Sequence, residues 1–180
     1  MCGGGCQESV HHADADTVLR RIPILLLIVL MTVGVAPVAQ AASVDSAERS
    51  QLQLINTVRA KKGLPRLALD ARLTNAAEWM AKDMGVHDYF DHTDRLGRDP
   101  FKRIAAYKYP SSDTYRGENL AAGHEGAQAT YQQWWKSPGH KANMLNGSYR
   151  AIGIARVYVP GSTYGWYWVT DFGSRVVRRV

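Results

Sequence analysis

The 180-residue chain is 46% apolar and 21% charged, with a formal net charge of +6; this is the composition of one ordinary globular domain plus an extension, not of a disordered or low-complexity chain. The positive balance draws an exported chain toward anionic surfaces such as lipid headgroups or acidic wall polymers. No basic stretch interleaved with stacking aromatics argues for nucleic acid. Both cysteines, Cys2 and Cys6, stand near the start, which leaves the rest of the chain without a disulfide framework or a thiolate site.

Taken in chain order, the first element is an apolar run from Ile22 to Val35, preceded by Arg20-Arg21 and followed by Ala39-Gln40-Ala41. A charged lead, a short apolar stretch and a small-x-small exit describe a secretory signal peptide cleaved after Ala41. The run is shorter than the ~20 residues a bilayer span needs, so no stable transmembrane anchor is expected after cleavage. Glu8, Asp14 and Asp16 suit a charged lead poorly and point to a translation start near Val18. Residues 1–41 are therefore read as extension and signal peptide, and 42–180 as an exported domain with a core over about 45–175, extracellular or periplasmic. Removing 1–41, which hold two arginines and three acids, leaves a charge of +7.

Asp45 or Ser46 caps a first helix carrying Leu52, Leu54, Ile55 and Val58, stopped by Gly63 and Pro65. Asp70 caps a second, in which Leu73, Ala76, Ala77, Met80, Ala81 and Met84 recur at helical spacing. Asp99-Pro100 starts a short third helix, with proline where its missing donor costs nothing. Glu125 to Lys136 reads as a helix, and Ser137-Pro138 opens another through Leu145. The period then changes. Ala151 to Val159 and Tyr164 to Phe172 are strand-like, joined by the turn Pro160-Gly161-Ser162-Thr163, and Gly117 to Ala121 is a candidate third strand. Helices first and strands later give an α+β domain. Arg175, Arg178 and Arg179 form a basic tail read as a solvated end.

The polar residues offer several chemistries, most of them unsupported by their surroundings. His124-Glu125 begins like a zincin motif, but Gln128 stands where the second histidine belongs. Gly161-Ser162-Thr163-Tyr164-Gly165 places its serine at the wrong step for a nucleophile elbow. Ser137 lies three residues before His140 and reads first as a helix cap. His87, Asp88, Asp91, Asp94 and Asp99 lack the spacing of a calcium loop and read as turn and cap chemistry. By spacing alone, His92, Glu118 and His140 are more often a cap, a surface acid and a buried structural histidine than a common site.

Four fragments change that reading: Phe90-Asp91-His92-Thr93, Gly117-Glu118-Asn119-Leu120-Ala121, Trp135-Lys136-Ser137-Pro138-Gly139-His140-Lys141-Ala142-Asn143-Met144-Leu145 and Tyr167-Trp168-Val169-Thr170-Asp171-Phe172-Gly173. In this order they resemble the signature of the CAP superfamily, which holds cysteine-rich secretory proteins, antigen 5, pathogenesis-related proteins and bacterial SCP-like extracellular domains. The resemblance spans about Leu52 to Gly173 and implies a three-layer α-β-α sandwich with a small antiparallel sheet. It also implies that His92, Glu118 and His140 line one cleft, with Asn119 orienting it or a backbone turn.

Two imidazoles and a carboxylate form a ligand set for zinc or another divalent metal, with a position left for water or substrate. Many eukaryotic members add a glutamate shortly after the tryptophan region; here that stretch is Lys136-Ser137-Pro138. The implied function is a secreted binding module for a lipid, sterol or anionic envelope component. The alternative is a metal-dependent hydrolase or peptidase with Glu118 as its candidate catalytic base.

Overall fold

The computed structural model describes residues 43–180. The signal peptide, its cleavage site, the start near Val18 and both cysteines lie outside the described residues.

Helix α1, Ser46–Lys61, begins with a capping box in which the Asp45 carboxylate accepts from the Glu48 amide (2.7 Å) and Glu48 accepts from the Asp45 amide (2.6 Å). It ends at Lys62, and Gly63 follows with φ +68°, a conformation that glycine adopts without strain. A two-residue strand, β1 (Ala68–Leu69), leads to α2, Ala71–Val86, whose first turn donates to the Asp70 carboxylate. Helix α3, Pro100–Ala106, is capped by Asp99 and starts with proline. Then follow β2 (Arg116–Ala122), α4 (Ala127–Lys136), α5 (Pro138–Met144), β3 (Ala151–Tyr158) and β4 (Trp166–Gly173).

The strands order as β1-β3-β4-β2. β3, β4 and β2 are antiparallel to their neighbours, whereas β1 runs parallel to β3. The sheet is therefore mixed rather than wholly antiparallel, because the chain leaving α1 enters alongside β3 through the Ala68 amide to the Arg150 carbonyl and the Asp70 amide to the Ile152 carbonyl.

Alternation along β4 divides the core in two. Trp168 and Phe172 join Ile55 of α1, Trp134 of α4, Met144 of α5 and Ile152 and Ile154 of β3 on one face. Tyr167 and Val169 join Ala77, Met80, Ala81 and Met84 of α2 on the other. The α2 backbone lies directly on β3: a Cβ at Gly153 would stand 2.1 Å from the Leu73 carbonyl carbon. These are the three layers of an α-β-α sandwich.

Four local readings shift. Helix α4 starts at Ala127, with Gly126 as N-cap, rather than at Glu125. Ser137 occupies the N-cap position of α5 but makes no side-chain capping bond. Tyr164 lies before β4 and tilts against Phe90, while Trp166 packs with Tyr158 and Trp168 is buried. The C-terminal segment is tied down, since the Val177 and Arg178 amides donate to Asp70 Oδ2 at 2.6 and 2.8 Å.

Candidate ligand-binding cleft

β2 is an edge strand, and its alternating side chains reach both faces of the sheet. Glu118 pairs in register with Asp171, and Asn119 with Thr170. Directly opposed residues share a face, so Glu118 and Asp171 lie on the side of Tyr167 and Val169, which α2 covers. Asn119 turns to the α5 side, where its amide donates to the His140 carbonyl (3.0 Å). Asn143 of α5 completes that seam, donating to the Glu118 carbonyl (3.0 Å) and to Asn119 Oδ1 (2.9 Å). Asn119 thus fastens α5 to the edge strand.

His92 comes from the segment between α2 and α3, and its Nδ1 lies 2.6 Å from Glu118 Oε1. The other Glu118 oxygen accepts from the guanidinium of Arg103 on α3, and Arg103 also donates to the His92 carbonyl (3.2 Å). Asp94 Oδ2 is 3.8 Å from the same guanidinium. Arg103 and Glu118 are buried, whereas the His92 side chain is 53% exposed. The group therefore presents one imidazole to solvent from a buried ionic base.

The electrostatics separate the two histidines. The hydrogen bond to Glu118 raises the His92 pKa above the ordinary imidazole value, although burial opposes it. Burial, then the charge of His92, lowers the His140 pKa, so at neutral pH His140 is the uncharged ring. His140 is thus near enough to His92 to feel its charge. His140 also lies beside Trp134, with ring centroids 6.5 Å apart, and its Nδ1 is buried without a hydrogen-bond partner.

Asp171 is fully buried, no N–H or hydroxyl donor among the described residues reaches its carboxylate oxygens, and Glu118 is the polar side chain it meets. Burial, reinforced by the neighbouring Glu118 charge, holds its pKa well above the usual carboxylate range. Arg103 and Asp171 were not singled out for this site by the sequence reading. Arg103 gives no local signal, while Asp171 becomes visible only once β4 is set in register with β2.

A divalent metal held by His92, Glu118 and His140 together would need a Glu118 oxygen released, because one is held by His92 Nδ1 and the other by Arg103; the engagement of Nδ1 leaves His92 Nε2 as its other ring nitrogen. Among the described residues, no three His, Cys, Asp or Glu side chains form a group suited to a metal ion. Glu118 is equally unsuited to act as a free base, because it already holds a histidine and an arginine.

A second concave feature lies between α1 and α4. Leu54, Val58, Tyr131 and Trp135, with the polar Thr57, Lys61 and Gln132 among them, line a groove of about 440 Å³. Trp135 stacks on Tyr131 (5.8 Å, 20°), and the Lys141 ammonium sits 4.2 Å from the Trp135 ring centre. A neighbouring hollow shares Leu54 and Thr57 and extends the groove toward Ala127.

The model of the family described as "CAP: Cysteine-rich secretory protein family" matches residues 52–172. The chain is 32% identical over 116 residues to uncharacterized protein YkwD of Bacillus subtilis strain 168, covering 64% of this chain and 44% of that protein. It is 28% identical over 109 residues to uncharacterized membrane protein YlbC of the same organism, covering 61% and 31%. The match thus spans less than half the length of either relative. Among solved structures, an outer surface protein from Borrelia burgdorferi superposes with a TM-score of 0.65 at 28% identity, covering 74% of this chain and 96% of that one. An extracellular SCP-domain protein from Bacillus anthracis superposes at 0.61 and 27% identity, over 74% of this chain and 40% of its own.

Proposed function

Because the chain belongs to the CAP family of cysteine-rich secretory proteins, we propose that it is an exported binding module holding a lipid-like amphiphile in the groove between α1 and α4. The apolar walls of that groove, with lysines at its border, carry the reading. Its volume is within the range of small-molecule sites. Leu54, Val58 and Trp135 offer an aliphatic or sterol body a dry surface, and Lys61 and Lys141 offer an anionic head a counter-charge. Export is supported by the signal-like N-terminal pattern and by relatives named as extracellular or outer-surface proteins. No described helix is long and apolar enough to cross a membrane.

In this reading the His92 and His140 cleft is a polar recognition surface, with one imidazole favouring the proton and the other lacking it. A hydrolase reading would need Glu118 to accept a proton, and both of its oxygens are already engaged. The test is displacement of a fluorescent long-chain fatty acid from residues 42–180. Saturable binding is expected, weakened about tenfold or more by Val58→Arg, which places a charge on the apolar wall. His92→Ala is expected to leave it unchanged. Absence of saturable binding, or indifference to Val58→Arg, defeats the proposal. Ester or peptide turnover abolished by Glu118→Gln would favour the hydrolase instead.

A further inference from the structure

We propose that the end of the molecule where the sheet meets the C-terminal segment is a docking surface for an anionic lipid bilayer. Hydrogen bonds gather basic residues from four elements there. The Arg72 guanidinium, in the first turn of α2, donates to the Lys108 carbonyl at 2.6 Å, just past α3. The neighbouring Tyr109 hydroxyl donates to the Arg175 carbonyl at 2.7 Å. Three residues beyond, the Arg178 carbonyl accepts from the Ala71 amide at 2.7 Å, and Arg179 bridges to Asp70. Arg150, just before β3, donates its amide to the Gly173 carbonyl at 2.8 Å and so stands beside the root of the segment.

All of these basic residues except Arg72 are exposed, and Arg72 is half-buried. Among the described residues none of them forms an ion pair with a carboxylate. The acid in their midst, Asp70, is buried and accepts the backbone N–H groups of Arg72, Leu73, Val177 and Arg178. It holds the segment in place rather than offering an exposed counter-charge. The exposed Asp113 lies two residues before Tyr115, on the border of the cluster.

Exposed apolar side chains distinguish a bilayer from a hydrophilic polyanion. Tyr115 is 67% exposed and is paired through its backbone with Ser174, beside Arg175. Val177 and Val180, 36% and 46% exposed, flank the Arg178-Arg179 pair. A soluble polyanion gains nothing from these groups, whereas a headgroup boundary accepts a tyrosine ring and aliphatic side chains while its phosphates attract the arginines. Each basic residue at such a surface contributes roughly a fivefold factor in partitioning. None of these residues lines the α1–α4 groove, so the inference stands apart from the proposed ligand site.

The experiment is co-sedimentation of residues 42–180, which contain a self-sufficient core, with vesicles of phosphatidylglycerol and phosphatidylcholine or of phosphatidylcholine alone. Salt-sensitive partitioning onto the anionic vesicles only is expected. Arg175→Glu/Arg178→Glu/Arg179→Glu should reduce it by at least about tenfold; the ties to Asp70 are made by backbone and survive the change. Lys108→Glu/Arg150→Glu repeats the test without altering the segment, and circular dichroism checks the fold of both. Lys62→Glu/Lys82→Glu/Lys136→Glu, at exposed positions outside both the cluster and the groove and with the same net charge as the triple variant, should bind as the unaltered protein does. No partitioning, or an equal loss in that control, overturns the proposal. So does binding to soluble polyphosphate as strong as to vesicles, with Tyr115→Ser making no difference, because the partner is then a polyanion.

Discussion

Arg103 neutralises Glu118, and Asp171 lies across the strand from that pair without a cation of its own. A carboxylate so placed favours its proton, and the consequence for stability has a definite sign. The folded pKa of Asp171 lies above its unfolded value, so stability falls as pH rises from that unfolded value through the folded one. His92 acts in the same direction. Its contribution is complete below the unfolded imidazole pKa and is lost as pH rises through its raised folded value. We expect Asp171→Asn to match the unaltered protein near about pH 4, where both side chains are neutral. Above the raised folded pKa it should be more stable by about 1–3 kcal/mol, the usual penalty of a buried unsatisfied group. Urea unfolding across this pH range measures the difference, and an Asn variant that is less stable at every pH would show that the carboxyl makes an essential bond.

Among the elements, the ones announced by local chemistry were those the sequence revealed best. Asp45, Asp70 and Asp99 mark the starts of α1, α2 and α3 because a carboxylate satisfies amides that a helix start leaves free. The β-branched and aromatic runs mark β3 and β4. β1 has two residues and no period to detect, and it owes its existence to β3. The candidate site divides in the same way. His92, Glu118 and His140 were legible as positions, whereas the ion pair that closes Glu118 and the carboxyl opposite it depend on packing and register between distant segments.

Arg59 is another long-range feature of this kind. Buried on α1, it donates to the carbonyls of Pro65, Met144, Asn146 and Tyr149 and so ties α1 to the end of α5 and the approach to β3. With the Pro65 and Met144 carbonyls losing their donor, and those of Asn146 and Tyr149 losing one of two, Arg59→Met is expected to destabilise the fold by about 2–4 kcal/mol, although it keeps the apolar stem. Hydrogen exchange should show the loosening at residues 144–149 first. Protection there equal to that of the unaltered protein would mean that other groups hold this seam.

At the scale of the molecule, residues 42–180 contain no cysteine, so no disulfide supports the fold. A domain of this size buries enough surface to be stable without one. Its core lies on two faces of one sheet: Ile55, Trp134 and Met144 pack on one, and Met80 and Met84 on the other. Both helical layers rest on neighbouring residues of the same two central strands, with Ile154 facing one layer and Ala155 the other, and Trp168 and Val169 likewise. Losing either layer exposes strand residues that the other layer needs in place, which couples the two. Ile55→Ala and Met80→Ala should therefore each cost about 2–5 kcal/mol, and each should lower one common transition. Tryptophan fluorescence, reporting chiefly on the buried Trp134 and Trp168, and helical circular dichroism, reporting on both layers, should give coincident urea curves in both variants. Separate midpoints in Met80→Ala, with the dichroism falling before the fluorescence, would mean that α2 leaves a sheet still held by α1 and α4.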